Sequence, residues 1–269
     1  MKMENKIDVS VILPIKTATA KDFDDYFKKA IDSLINQKVQ INELVIVHTD
    51  EELLENKLKD YDFGSLNVKK IKWTQDPNFS KQVNYGIENS ASKWVSFFEF
   101  DDEYSNIWFD NVKKYMEVYK EVKAFLPIVI DVDDKGMFAG FTNEATFASN
   151  FSQEVGYLTN DTLHSFQNFQ TAGMVINKEV IEDFGGFKTN FKLTFIYEFL
   201  LRLTFNSVKI MTIPRLGYKH VNLREGSIFW NYKNGDDVLT ENEVKFWIES
   251  AKKEYFFKDE RQLNYIPQI

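Results

Sequence analysis

KWVSFFEFDDE, residues 93–103, is a short apolar run that breaks abruptly into acid. Trp94 to Phe98 carry the aromatic and β-branched bias of a buried strand, and Glu99, Asp101, Asp102 and Glu103 follow at once. The pattern predicts a strand over 93–100. Glu99 and Asp101 are two apart, so on an extended chain their side chains point to the same side. Carboxylates crowded at one strand end repel each other unless a cation is present. Hard cations such as Mg²⁺ or Mn²⁺ take oxygen ligands, often one or two carboxylates together with substrate phosphates. Taken alone, the run reads somewhat more readily as a solvated acidic turn, so its meaning depends on what surrounds it.

Working upstream, VSVILPI (9–15) is a β-branched run, ELVIVH (43–48) a second buried strand and VKKIKW (68–73) a third, more exposed one. Between them, residues 20–37 place Phe23, Tyr26, Phe27, Ala30, Ile31, Leu34 and Ile35 at helical spacing, and 51–60 carries Leu53, Leu54 and Leu58. Ser80 is positioned to cap a helix reaching Asn89, and Ser105 one that buries Ile107, Trp108, Val112 and Tyr115. Strands separated by helices predict an α/β fold: a mostly parallel central sheet flanked by helices. Ligands of such sheets sit at the carboxyl ends of the strands. Here those ends are 14–17, 48–50 and 99–103, three separate segments expected to converge on one crevice.

The second half is less regular. AFLPIVIDV (124–132) is a strand followed by the turn 133–136, and 137–170 is polar, aromatic and poorly periodic, read as strand fragments and long loops. Long loops in compact domains are often functional, so this stretch is expected to help build the site. Residues 172–187 read as a short strand, a helix and a Gly-Gly stop, 194–205 as an apolar helix, and 208–214 as a strand. Thr240 and Glu243 fit a capping box that opens a C-terminal helix. That helix is read as packing on the domain or as mediating a homodimer.

Composition narrows the function. With 33 Lys and Arg against 41 Asp and Glu, the net charge is −8, and no basic stripe suggests nucleic acid. The absence of cysteine rules out disulfides and thiolate metal sites. No signal-like leader or window of about 18 apolar residues is visible, so no transmembrane segment is expected and the cytoplasm is the expected compartment. There is no GxGxxG after the first strand, no Walker loop and no Gly-x-Ser-x-Gly elbow. Phosphates, if bound, must then be held by a metal and cations such as Lys16, Lys81, Arg215 or Arg224. The three histidines, His48, His164 and His220, show no zinc-ligand spacing.

Taken in order, these pieces resemble the family-2 glycosyltransferases, which have the GT-A fold. VSVILPIK (9–16) looks like that family's first strand ending in Pro. AIDSLINQ (30–37) is similar to its helix closed by Ser-x-x-x-Gln, and ELVIVHTD (43–50) to its second strand. NYGIENSASKWVSFFEFDDE (84–103) resembles its Asn-x-Gly-Ile, small-residue turn and strand into Asp-x-Asp-Asp. VINKEVIEDFGGF (175–187), then YEFLLRL (197–203) with VKIMTIP (208–214), resemble its later helix and strand. His220 falls where many members carry a late His ahead of Arg and Ser. The resemblance spans about residues 8–228. It implies one GT-A domain over 1–228, with a Rossmann-like nucleotide-sugar half at 1–104, an irregular acceptor half at 105–228, and a C-terminal helical extension at 229–269.

What the resemblance implies chemically is an inverting transfer from a nucleoside-diphosphate sugar, commonly of UDP, to a glycan or other hydroxyl acceptor, assisted by Mn²⁺ or Mg²⁺. Asp101 would be the principal metal ligand, Glu99 would replace the first Asp, and His220 would complete the set. Pro14, Lys16, Asp50, Lys81 and Asn84, with Glu99 and Asp101, would face the donor. The second strand ends in His48-Thr49-Asp50-Glu51 instead of the family's Asp-Asp-Gly-Ser type, which leaves the base of the nucleotide open. The family's catalytic Glu-Asp falls on Phe195 and Ile196, both apolar. Glu198 is the nearest carboxylate for the base. It reads equally as a helix acid paired with Arg202 at i,i+4, and Asp161 of the polar loop is a third option. Two alternatives stand beside the enzyme reading: a catalytically degenerate GT-A protein that binds sugar or a partner, and a nucleotidyltransferase, for which the Gly-rich loop after the first strand is missing.

Overall fold

Strand patterns in the first hundred residues fold as they read. The computed structural model describes residues 5–144 and 157–265. β1 (Lys6–Ile15) lies parallel to β2 (Gln40–Thr49) on one side and β4 (Trp94–Phe97) on the other, and β2 carries β3 (Val68–Trp73) at the sheet edge. Between them run α1 (Phe23–Ile35), α2 (Glu52–Asp60) and α3 (Phe79–Glu88). Alternation along β1 divides the core into two layers. Val11 and Leu13 pack with Phe27, Ile31 and Leu34 of α1, whereas Ile12 faces Val83 and Ile87 of α3. Burial of each such side chain stabilises the fold by roughly 1.5–3 kcal/mol.

The rest of the chain extends this sheet. After β5 (Glu103–Tyr104) and α4 (Trp108–Val118) come β6 (Ala124–Val132), β7 (Phe138–Thr142) and β8 (Tyr157–Leu158). Then follow α5 (Asn160–Ser165), β9 (Val175–Asn177), α6 (Lys178–Phe184), α7 (Phe195–Phe205) and β10 (Ile210–Val221). Two helices close the chain, α8 (Ile228–Asn234) and α9 (Glu241–Glu254). The sheet order is β3-β2-β1-β4-β9-β6-β10-β5, with β7 on β6 and β8 on β10. β9 is antiparallel to both β4 and β6, while β6 and β10 are parallel. The α/β class and the mostly parallel sheet are as expected. Residues 145–156 of the polar-aromatic stretch lie outside the described residues.

Several local expectations are corrected. Asn78, not Ser80, caps α3: its side chain accepts the Lys81 N–H at 2.9 Å, and Ser80 is buried within the first turn. Ser105 joins α4 through its carbonyl, which accepts the Trp108 N–H. The strand expected to stop at Pro214 runs on to Val221, because the register shifts twice between Ile213 and Tyr218 and absorbs the proline, which has no N–H to donate. Helix α8 was not expected. The C-terminal helix packs on the domain, one of its two readings: Trp247, Ala251 and Tyr255 join the core, and the Thr194 hydroxyl donates to the Trp247 carbonyl. The Thr240–Glu243 capping box is formed as read.

The continuation of β10 is what delivers His220, and Gly217 makes it possible. A Cβ at this position would run into the Trp108 ring and stand 2.7 Å from the Pro127 Cβ. Trp108 cannot retreat, since it is fully buried and its indole N–H donates to the Gly173 carbonyl at 3.0 Å. Gly217→Ala is expected to cost about 1–3 kcal/mol by overpacking, read as a lower midpoint in urea denaturation.

Candidate functional site

Strand β4 stops at Phe97, and the acidic residues sit on the turn that follows, where the Asp102 N–H donates to the Glu99 carbonyl at 3.3 Å. This turn overrides the two-residue alternation of an extended strand. It brings Glu99 and Asp102 within reach of one another, while Asp101 meets Arg224. β5 then pairs antiparallel with the far half of β10, Tyr104 opposite Tyr218 and Glu103 opposite Lys219, so His220 arrives beside Asp102. The His220 Nδ1 lies 3.1 Å from Asp102 Oδ2, and the Val221 N–H donates to Asp102 Oδ1 at 2.9 Å. Behind them the Glu99 N–H donates to the buried Tyr218 hydroxyl at 3.3 Å.

Glu99, Asp102 and His220 each offer a ligand atom, and these atoms lie within 4.8 Å of one another. Asp101, expected as the principal ligand, is instead engaged by Arg224, whose Nε donates to Asp101 Oδ2 at 2.6 Å while its guanidinium lies over the Phe100 ring. Electrostatics show a shortage of positive charge. Burial, then the Asp102 charge, pushes the Glu99 carboxyl up to about 8. Burial alone would lower His220, but the charge and hydrogen bond of Asp102 outweigh it and push it up to about 10. Burial and Asp102 also raise Asp101, against the pull of Arg224. Two ligands of a bound Mg²⁺ are at most about 4 Å apart, and this set, with ligand atoms within 4.8 Å of one another, is near that spacing. The oxygen-and-imidazole donors and the unmet need for a cation both fit such an ion.

Beside the acidic turn lies a cleft of ≈ 260 Å³. Pro14 and Lys16 from the end of β1 line it, with Asn78, Phe79 and Gln82 of the α3 entry, Glu99 and Asp101, Arg224, and Ser227, Asn231 and Tyr232 of the α8 segment. Four of the expected donor residues, Pro14, Lys16, Glu99 and Asp101, therefore meet here. The other three do not. Asp50 is exposed and paired with Lys72 at 2.9 Å. Lys81 and Asn84 line a separate groove on another face of α3, together with Trp73 and Tyr85. Asn84 is committed to structure: its amide donates to the Phe187 carbonyl at 2.7 Å and accepts the Phe187 N–H at 3.0 Å.

Glu198, expected as the base, is fully buried on α7. The Arg202 Nε and Nη2 donate to its two oxygens at 2.9 and 3.0 Å, and Lys188 Nζ stands 3.1 Å away. An acceptor has no route to it, so the sequence reading of Glu198 as an ion-paired helix acid is the one the geometry supports, although the pair is buried. Asp161 is exposed in the first turn of α5. Arg215 donates to the Pro214 carbonyl on the surface, His48 contacts its neighbour Thr49, and His164 faces the Tyr255 ring. Residues missed from sequence include Asp102 as a ligand-set member and the α8 segment. A signal for the latter was present: Ser227 accepts the Trp230 N–H as an N-cap, and Gly235 follows the helix.

The family described as glycosyl transferase family 2 matches residues 10–177 of the chain, more than half of it. No curated protein matches by sequence. Among solved structures, S. aureus TarS 1–349 in complex with UDP-GlcNAc is similar with a TM-score of 0.64 and 15% identity, covering 89% of this chain and 64% of that one. The complex of the same protein with UDP gives 0.60 and 14%, covering 80% and 60%. S. aureus TarS gives 0.59 and 16%, covering 93% and 44%. The chain thus spans less than two thirds of these structures, and at such identity the likeness speaks for the fold.

Proposed function

The chain belongs to glycosyl transferase family 2, and from that premise we propose that it transfers a sugar, with inversion, from a UDP-sugar to a hydroxyl acceptor with a divalent metal bound. The observation that carries this reading is the set Glu99, Asp102 and His220, of which Glu99 lines a cleft that also presents Asp101, Lys16 and Arg224. Glu99, Asp102 and His220 would hold Mn²⁺ or Mg²⁺, which when bound supplies a Lewis acid that offsets charge on the leaving diphosphate. Lys16 and Arg224 offer cationic donors to the phosphate oxygens. In doing so Arg224 would exchange its bond to Asp101 for one to the ligand. Pro14 closes the nucleotide end of the cleft, and Phe79 and Tyr232 flank it. UDP as the nucleotide is supported by the TarS complexes, which hold UDP and UDP-GlcNAc. Among the described residues no helix is long and apolar enough to cross a membrane.

Isothermal titration of UDP is expected to show binding that strengthens at least tenfold on adding Mn²⁺, and hydrolysis of a UDP-sugar should require the metal. Absence of UDP binding with and without Mn²⁺ would sink the reading. One observation favours a second reading, a binding module without transfer: Glu198 is locked in the core, and Phe195 and Ile196 are apolar. Metal-dependent transfer or donor hydrolysis by the purified protein argues against that alternative.

A further inference from the structure

Past Glu99 the cleft continues into a side chamber of ≈ 40 Å³. Its walls are Phe79, Phe195 and Ile196 at the start of α7, Val221, and Ile228 and Phe229 of α8. The Phe195 and Phe229 rings are stacked at 6.2 Å, and Phe79 adds a third ring 5.8 Å from Phe195. The chamber opens on Glu99, Asp101 and His220 and shares Phe79, Ser227 and Ile228 with the larger cleft. It is therefore not a separate hole but adjoins the larger cleft, which Pro14 and Lys16 line and the chamber does not.

Size and chemistry restrict what can enter. One water needs roughly 10–15 Å³ in this measure, so the chamber takes about three heavy atoms and no pyranose ring. Most of its wall is hydrocarbon, with Glu99, Asp101, His220, Asn222 and Ser227 on its polar side. On the ring side, away from these polar groups, a hydroxyl gives up its water for no partner, whereas a methyl group gains by burial.

We propose that this chamber reads a substituent of the donor sugar, and that it selects a methyl-bearing group over a hydroxyl at the same carbon. Two sugar classes present that chemistry: 2-acetamido sugars, whose methyl would meet the rings while the amide faces Asn222 and Ser227, and 6-deoxy sugars, whose C6 methyl would do the same. The proposal rests on the UDP-sugar reading of the cleft. Phe195, Ile196 and Phe229 become specificity-determining residues, with no part in holding the diphosphate.

The test is titration, with Mn²⁺ present, of UDP, UDP-glucose, UDP-N-acetylglucosamine and UDP-6-deoxyglucose against the full chain and against Ile196→Thr and Phe229→Ala. Ile196 is part-buried and Phe229 is 36% exposed, so neither change removes a fully buried core side chain. One methyl group in an apolar pocket is worth tenfold or more in discrimination. At least one methyl-bearing donor is therefore expected to bind tenfold or more tighter than UDP-glucose, and which one wins tells which substituent is seated. In both variants that ratio should fall by at least threefold, with UDP alone reporting that the diphosphate is still held. Binding of UDP with a ratio below tenfold for both methyl-bearing donors overturns the proposal and leaves the nucleotide reading standing. A ratio that survives both substitutions overturns the assignment to these walls. Failure of UDP itself to bind removes the nucleotide reading and the proposal together.

Discussion

Asp102→Asn is expected to weaken Mn²⁺-dependent UDP binding by roughly a hundredfold or more, and Asp101→Asn by distinctly less. Losing a partner one step removed from a metal commonly costs 10–100-fold, and losing a ligand costs no less. Asp102 sits in the set with Glu99 and His220, whereas the Asp101 carboxylate is held by Arg224 at 2.6 Å. The asparagine keeps an oxygen in place for the Val221 N–H, which now donates to Asp102 Oδ1 at 2.9 Å, so the β10 backbone retains its anchor. What it removes is the negative charge that a cation needs. Asp101→Asn instead frees Arg224 and leaves the donor triad intact. Calorimetric titration of UDP with Mn²⁺ reads both variants. Metal-dependent binding that survives Asp102→Asn and vanishes in Asp101→Asn would restore Asp101 as the principal ligand.

The second large effect concerns stability. Arg202→Ala is expected to cost about 3–5 kcal/mol, because it takes from the buried Glu198 carboxylate its two-pronged partner and leaves Lys188 alone beside it. At a few degrees per kcal/mol for a chain of this size, the melting temperature falls by roughly 10 °C. Arg202 is 1% exposed, pairs with Glu198, and donates to the carbonyls of Phe184, Gly185 (2.9 Å) and Gly186 (2.7 Å). It thereby satisfies the end of α6 and ties it to α7. Glu198→Gln should destabilise in the same direction, since it strips the negative charge from between Arg202 and Lys188. A catalytic base behaves in the opposite way: its amide variant loses turnover and keeps its melting temperature. Thermal denaturation of Glu198→Gln beside a donor-hydrolysis assay separates the two, and intact stability with lost hydrolysis would return Glu198 to the active site.

Elements with a strong period were readable from sequence because their burial pattern is local. Val68–Trp73 and Ala124–Val132 form with the bounds their patterns predict, and α1 buries Phe23, Phe27, Ala30, Ile31 and Leu34, all on its expected stripe. The capping box at Thr240 is equally local, set by two residues three apart. Gly86 belongs to the same class. A Cβ there would press on Ile12 and stand 3.0 Å from Val47, so the glycine of the Asn-x-Gly pattern marks where α3 meets the sheet.

The site was legible only in part, and the line falls where side-chain partners come from distant positions. Acid at the end of a strand, Lys16 after β1 and a late histidine were visible as residue types in order, which was enough for the family and the crevice. Which carboxylates gather beside His220 depended on whether the chain stays extended after Phe97. A turn there pairs Glu99 with Asp102 in place of Asp101, and nothing in the apolar run before it announces that turn. Arg224 reaches Asp101 across more than a hundred residues, and Arg202 and Lys188 claim Glu198 within the core.

KWVSFFEFDDE by itself determined that a buried strand would end in a crowd of carboxylates, since hydrophobic periodicity and charge are properties of neighbours along the chain. Only the tertiary structure decided how the crowd divides. Coulombic and hydrogen-bond energies depend on distance in space, and the side chains that divide it, His220 and Arg224, arrive on the far half of β10 and the loop beyond it.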